Sequence, residues 1–393
     1  MLAPGIIDHQ HMQLERDSAR VPVDQGDDRG PRQPILQVNL ERGWRGGENQ
    51  VFLLQIGLDP GEFQSDVLCR AGDQLAKRLC DAGQRTIPLR AGRFFRLRAA
   101  REIRQWALAH PDGIIHAHTS EGHGCACLAL TGLHNRLLVT RRVDFPLKRG
   151  FIARRKYVGS VWRYIAISQA VGRVLITGGV DPARVTVIPD GVPPPVPGES
   201  DFDRSALRAS LDLPADKLVV TCCAALVAHK GHRVLIDAWR LLEPRFPNAC
   251  LLIVGSGPER GALEQQAHGL SRIRFAGWRD DMPRIWRISH LAVQPSLEEG
   301  LCSSLIDAQM RNVPIVASRA GGIGEVVVDG GSGILCPPGN ERALADAVAE
   351  LFTNVRRHTA MAGYYPPGGH PMSEKRMTDQ HAEFYRASCL ASR

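Results

Sequence analysis

The sequence predicts an α/β protein built as two doubly wound parallel sheets facing each other across a cleft. Three observations carry that expectation. Short apolar runs alternate with helix-length runs through two successive stretches of chain, the pattern of parallel strands joined by crossover helices. A proline-rich segment, VPPPVPGES at 192–200, interrupts the alternation midway and cannot enter the interior of a sheet or helix. Glycine-rich or charged turns follow several apolar runs, where open parallel sheets bind ligands, beyond the carboxyl ends of their strands.

Taken in order, residues 1–32 are polar and aperiodic, and are expected to be unordered or to precede the true start. A first domain is expected over 33–190. It begins with a strand at 34–40 (Pro34 followed by ILQVNL), a Gly-rich turn, and a helix at 49–58. Strands follow at 65–72, 86–90 and 113–118, with helices at 72–83 and 101–111 between them, then strands within 137–145 and 163–168 and a helix at 169–179. A strand at 185–189 precedes a linker at 191–204. A second domain, 205–365, repeats the alternation from KLVVTCCAAL at 217–226 to ADAVAELFT at 345–353. The tail, 366–393, holds a helix at 377–388 that is free to return to the first domain.

Composition narrows the class. The 393 residues suffice for two domains of ordinary size. No run approaches the roughly 20 apolar residues needed to span a bilayer, and no signal peptide is evident. Ten cysteines lack zinc-finger spacing, which reads as reduced thiols in a cytoplasmic protein. A net charge of +8 implies an anionic partner or surface. Two basic stretches, 85–104 and 141–163, suit an anionic membrane surface or simply a solvated face.

The densest motif is PSLEEGLCSSLIDAQ at 295–309. The preceding HLAVQP reads as a buried strand and SSLIDAQMR as a helix, so the stretch is strand, tight loop, helix. Gly300 permits close backbone approach, and a helix start offers unpaired N–H groups suited to phosphate. Glu299, in the loop, can accept hydrogen bonds from sugar hydroxyls, and Asp307 lies eight residues on. The same letters also spell a plain helix start, with Ser303 or Ser304 as cap and Ser304-x-x-Asp307 as a capping box.

Other strand ends carry weaker signals. Gly46-Gly47-Glu48 opens the first helix and suits an anion or a tight turn. His116 and His118 close the fourth strand, are expected to alternate faces, and read either as hydroxyl or phosphate ligands or as structural histidines. Lys230, in HKG at 229–231, is a phosphate counter-charge or an exposed loop lysine. Gly257, in GSGPE at 255–259, and Arg279, after Gly277-Trp278, sit in further strand-end turns. Asp201 and Asp203 form a DxD pair, but it lies in the linker and reads as chance.

In chain order, WRGGE, HAH, HKG, GSGPE, the 295–308 stretch and AGGIGE at 320–325 resemble the family 4 glycosyltransferases, retaining enzymes of the GT-B fold with two Rossmann-like domains, over residues 34–360. The resemblance implies that Glu299, His118 and Lys230 are catalytic. It implies donor binding by Gly46, Gly47, Gly257, Arg279, Gly300, Leu301, Cys302, Ser303 and Asp307. Asp307 would hold the ribose, where the family usually has Glu. Ala225 stands where the family has Arg, so Arg141 and Arg142 become candidate phosphate or acceptor contacts. AGGIGE has Gly324 for a family proline and reads as structural. The implied chemistry moves a sugar from a nucleotide-diphosphate sugar, the co-substrate, to a saccharide or lipid-linked acceptor in cell-surface polysaccharide, lipopolysaccharide or glycolipid synthesis. No metal and no cofactor are implied, nor is nucleic acid expected. The expected location is the cytoplasm, with the inner face of the cytoplasmic membrane as a docking surface. Rival readings are a sugar-nucleotide epimerase, a basic nucleic-acid binder, and a transferase degraded at Ala225 and Asp307.

Overall fold

A computed structural model describes residues 32–148, 150–364 and 370–390. The expectation of an unordered leader therefore falls, except for Arg32, outside the described residues. The first sheet holds β1 (Gln33–Val38), β2 (Phe63–Arg70), β3 (Thr86–Leu89), β4 (Ile114–Ala117), β5 (Arg136–Arg141), β6 (Arg163–Ala166) and β7 (Val185–Val187). The second holds β8 (Leu218–Cys223), β9 (Ala249–Val254), β10 (Ile273–Gly277), β11 (Leu291–Gln294), β12 (Ile315–Ser318) and β13 (Gly333–Cys336). Strand orders are 3-2-1-4-5-6-7 and 10-9-8-11-12-13, and the paired strands run parallel. Each order reverses once, between β1 and β4 and between β8 and β11. Those two reversals are the places where an open α/β sheet leaves a crevice for ligand.

Side-chain alternation sorts the first sheet's faces. Leu36 and Val38 of β1 join a core that continues into the second domain through Leu301, Leu305 and Ile306. Ile35 points the other way, into a core shared with Met377, Ala382 and Tyr385 of the last helix, Glu374–Leu390. That helix packs on Gly46–Gly57 of the first domain. Its entry is tied to the linker: Val192 N–H donates to Met372 O at 3.0 Å and Glu374 N–H to Val192 O at 3.0 Å. A Cβ on Gly191 would lie 2.6 Å from Ser373 O, so only glycine lets the two crossings lie side by side.

Three local differences from the sequence reading have physical causes. The first helix starts at Gly46, because the Glu48 carboxylate accepts from Arg45 N–H at 3.0 Å and draws the glycine turn into the helix. A helix at Ser120–Ala129 gave no periodic signal, having two glycines, and is started by Thr119, whose side chain accepts from Gly122 N–H at 3.0 Å. In the linker, Asp203 caps the short helix Arg204–Ser210, which gives half of the DxD pair a structural task. Among the described residues, no helix is long and apolar enough to cross a membrane, and no group of three or more His, Cys, Asp or Glu is placed to hold a metal.

Candidate active site

The turns after β1, β4, β8 and β11 supply the central residues. After β8, Lys230 ends a one-turn 3₁₀ helix, Ala228–Lys230. Gly231 follows with φ +70°, and a Cβ there would lie 2.0 Å from Pro295 O. Glycine thus lets this turn rest on the turn after β11, where Leu297 N–H donates to His229 O at 2.8 Å. The result places Lys230 Nζ 2.5 Å from Glu299 Oε2. Glu299 also accepts from Ser296 Oγ at 3.1 Å, and Ser296 from Gln294 Nε2 at 2.8 Å. Burial opposes the Lys230 charge, but the Glu299 carboxylate outweighs it and raises the ammonium's pKa. Lys230 therefore stays protonated, and both side chains are mostly withdrawn from water.

The Glu299–Gly300 backbone is stitched to the first domain. Glu299 N–H donates to Asp144 Oδ2 at 3.0 Å, and Ser168 Oγ donates to Gly300 O at 2.7 Å. A Cβ on Gly300 would lie 2.3 Å from Arg142 O, so the approach requires glycine here. Glu325 of AGGIGE reaches across as well. Its carboxylate accepts from Gln169 N–H at 2.7 Å and Ala170 N–H at 2.9 Å, the first turn of helix Gln169–Thr177.

The helix Ser303–Met310 begins at Cys302, which has φ +81° and makes no side-chain cap bond. Neither Ser303 nor Ser304 is the cap, and Asp307 is not half of a capping box, so that expectation is corrected. The cause is a stronger set of partners for Asp307. Trp286 Nε1 donates to its Oδ2 at 2.8 Å, and Arg311, one turn on, pairs with Oδ1. Arg311 in turn grips Glu199 of the linker at 2.9 and 2.7 Å. Burial pushes the Asp307 carboxyl up to about 6 against the pull of Arg311 and Trp286. The first N–H groups of the helix stay without a side-chain acceptor. Ser303 Oγ lies 3.5 Å from where a Cβ on Gly46 would stand, so this helix start and the glycine turn face each other. Leu301 is buried, and burial pushes the Cys302 thiol up to about 12, which keeps it protonated.

Across the cleft, His118 is nearly buried. Its Nδ1 lies 3.3 Å from Arg142 Nη1, and its Nε2 has no partner. Burial, then His116 and Arg142, holds His118 well below the usual histidine range, so the ring is neutral. Since a guanidinium only donates, Nδ1 is the acceptor and Nε2 carries the proton. A neutral N–H donor is left without a protein partner. Arg142 is held by Asp190 through Nε at 3.2 Å, and a Cβ on Gly47 would lie 3.8 Å from Arg142 Cδ. The expectation that His116 and His118 alternate faces is corrected. Residues two apart on a strand share a face, and the two rings lie against each other with centroids 3.9 Å apart and planes tilted by 39°. Behind them, His116 bonds Tyr385 Oη and Thr140 Oγ1, each at 2.6 Å.

The remaining candidates are less central in this structure. Arg141 donates to Phe145 O. Arg279 makes a two-pronged pair with Asp281 at 2.8 and 2.6 Å. A Cβ on Gly257 would lie 2.3 Å from Leu226 O, so its absence of side chain seats one turn of the second sheet on another. Sequence reasoning missed Asp144, Asp190, Ser168, Trp286, Arg311 and Glu199. Only Asp190, in an Asp-Gly step at a strand end, gave a signal that could have marked it.

Two doubly wound parallel sheets, each with its reversal opening on the other's, are the GT-B class of fold. Comparison with known proteins agrees. A family model described as Glycosyltransferase Family 4 matches residues 44–194, and one described as Glycosyl transferases group 1 matches 217–354. Among solved structures, Alr3699/HepE of Anabaena, crystallised with UDP and glucose, superposes with a TM-score of 0.77 over 90% of this chain and 99% of that one, at 21% identity. A D-inositol 3-phosphate glycosyltransferase of Corynebacterium urealyticum is 31% identical over 52% of this chain and 51% of its own length. The lipopolysaccharide core biosynthesis glycosyltransferase LpsE of Rhizobium meliloti is 31% identical over 39% of this chain and 45% of its own. The chain thus spans about half the length of these curated relatives. It belongs to the family 4 glycosyltransferases.

Proposed function

We propose that this chain transfers a sugar from a nucleotide-diphosphate donor to an acceptor hydroxyl, with retention of anomeric configuration, in the synthesis of a cell-surface saccharide. The Lys230–Glu299 pair, 2.5 Å apart in the turns beside the second sheet's reversal, carries the reading. Without ligand the two charges satisfy each other. A diphosphate brings negative charge that Lys230 and the N–H groups starting helix Ser303–Met310 attract, which frees Glu299 to accept from sugar hydroxyls. The neutral Nε2–H of His118 donates to a sugar hydroxyl from the opposite wall. In this reading Asp307, which accepts from Trp286 and pairs with Arg311 in the absence of ligand, accepts from the ribose hydroxyls when donor binds. The relatives' names support a cell-envelope product, and the solved complex of a neighbour with UDP and glucose supports a nucleotide-sugar donor.

In the step itself, the bond from the sugar's anomeric carbon to the diphosphate oxygen breaks. The acceptor oxygen bonds that carbon on the same face, and its proton passes to the departing phosphate oxygen. No protein nucleophile is consumed. Lys230 and the helix start stabilise the charge that grows on the leaving group, so the reaction proceeds without a divalent metal. The test is incubation with a panel of nucleotide sugars and glycan acceptors, followed by NMR of the product's anomeric proton. Retained configuration supports the mechanism. Inversion rejects it, and nucleotide release with an isomerised free sugar would favour an epimerase.

A further inference from the structure

A cleft of about 410 Å³ lies apart from the Lys230–Glu299 pair, on the first domain, lined by Arg42, Arg70, Arg93, Phe94, Arg96 and Glu121. Four arginines meet one carboxylate there. Glu121 is already committed, accepting from Arg70 Nη2 at 2.9 Å and Arg96 Nε at 2.8 Å. Arg70 is further fixed over the face of Phe95, 3.8 Å from the ring centroid. Arg42 and Arg93 are exposed and have no carboxylate partner among the described residues. Helix Phe95–Ala109 starts at this wall with no side-chain cap and no acid in its first turn. The cleft is therefore a concave site with fixed and free guanidinium groups, the geometry that suits a planar or tetrahedral oxyanion.

Its place in the fold says which substrate it would meet. Arg42 follows β1, Arg70 ends β2, Arg93 follows β3 and Glu121 follows β4, all at the carboxyl edge of the first sheet. Arg70 Nε donates to Leu40 O at 2.6 Å, which pins the turn whose far end, Gly46–Gly47, faces Ser303 and Arg142. Glu121 lies three residues beyond His118. The cleft and the proposed transfer site are thus bordered by the same turns, and neither Lys230 nor Glu299 lines the cleft. Phe94 and Leu97, 58% and 59% exposed, add apolar surface at its rim.

We propose that this cleft binds a phosphate or carboxylate group carried by the acceptor, so that the chain glycosylates an anionic saccharide or glycolipid; this rests on the transferase reading above. The test uses the full chain and the variant Arg42→Ala/Arg93→Ala, with Arg42→Lys/Arg93→Lys as a charge-keeping control. Calorimetric titration with glucose 6-phosphate and with glucose reads a free phosphate monoester. Sedimentation with phosphatidylcholine vesicles, with and without phosphatidylglycerol, reads a lipid headgroup. UDP, GDP and ADP titrations read the donor site separately. The expected result is binding of one anionic probe and not its neutral counterpart, weakened about tenfold to a hundredfold by the alanine pair and less by the lysine pair, with nucleotide affinity unchanged. Which probe responds identifies the source of the anion. The proposal is overturned if neither anionic probe binds better than its neutral counterpart, or if the alanine variant binds as the wild type does. Failure of all three nucleotides to bind, with the anion effect intact, would reject the transferase reading and leave the anion site standing.

Discussion

At the scale of single residues, the candidate site is a set of charges that answer each other. Lys230 and Glu299 are the clearest case. Replacing Lys230 by Ala removes the cation proposed to face the leaving group and is expected to lower kcat about a hundredfold to a thousandfold, as loss of a preorganised transition-state contact does. Steady-state kinetics on the identified donor would check this, and a change confined to KM would contradict it. Asp307 offers a different signature. Its carboxyl is pushed up to about 6 from the usual 3.8, so between those values the folded state binds more protons than the unfolded one. Stability contributed by the protonated group is present at low pH and lost as pH rises toward 6 and above. The stability of wild type relative to Asp307→Asn should therefore fall as pH rises from 4 to 6.5, measured by urea unfolding at each pH. A flat difference would mean that Arg311 holds the carboxylate ionised throughout. The pairings here were illegible in sequence. Asp307 and Trp286 are 21 residues apart, and Arg311 meets Glu199 across 112. Local spacing favoured a capping box because Ser304-x-x-Asp307 satisfies it on paper, while the folded chain offers the carboxylate a guanidinium and an indole instead.

At the scale of elements, alternation of apolar runs was enough to expose both sheets, because parallel strands buried on both faces are nearly continuous apolar segments. Elements without that contrast were missed. Helix Ser120–Ala129 is glycine- and cysteine-rich, and β13 is only four residues long. The role of AGGIGE could be guessed as structural, but not its target. Glu325 crosses to cap helix Gln169–Thr177, joining two segments 155 residues apart. Glu325→Ala should leave two N–H groups without their acceptor and cost about 1–2 kcal/mol of unfolding free energy, with Glu325→Gln costing less. Equal stability of Glu325→Ala and wild type in urea would show that water replaces the cap at no cost.

At the scale of the molecule, titration of buried groups ties stability to pH. Burial lowers the pKa of seven histidines, His116, His118, His123, His232, His290, His370 and His381, the last to about 4. Each is neutral when folded but takes a proton when unfolded below about 6.5, so its stabilising contribution is present above that pH and lost as pH falls. Burial raises four carboxyls, Glu48, Asp190, Asp307 and Glu374, which act in the opposite sense at lower pH. Glu199, Glu243, Asp281 and Asp329 are lowered and also lose stability on acidification, so the histidines, which titrate first, set a net loss from pH 7 toward 5, with a limiting slope of about 1.4 kcal/mol per pH unit for each histidine protonated only in the unfolded state. Urea midpoints across that range would check the sign, and a midpoint that rises on acidification would contradict it. The two-domain arrangement and its motifs were legible in the sequence. The interdomain stitch through Asp144, Ser168 and Glu325 was not, since nothing local distinguishes those side chains from ordinary turn residues.

The central claim is that the cleft around Lys230 and Glu299 receives a nucleoside diphosphate. Isothermal titration of UDP, GDP and ADP against wild type and Lys230→Ala, with melting curves to confirm folding, tests it most directly. The account predicts saturable binding of at least one nucleotide by wild type and at least about a tenfold weaker affinity in Lys230→Ala, the loss expected for one charge-assisted contact. Equal affinity in the two proteins, or no binding of any of the three by folded wild type, would contradict it.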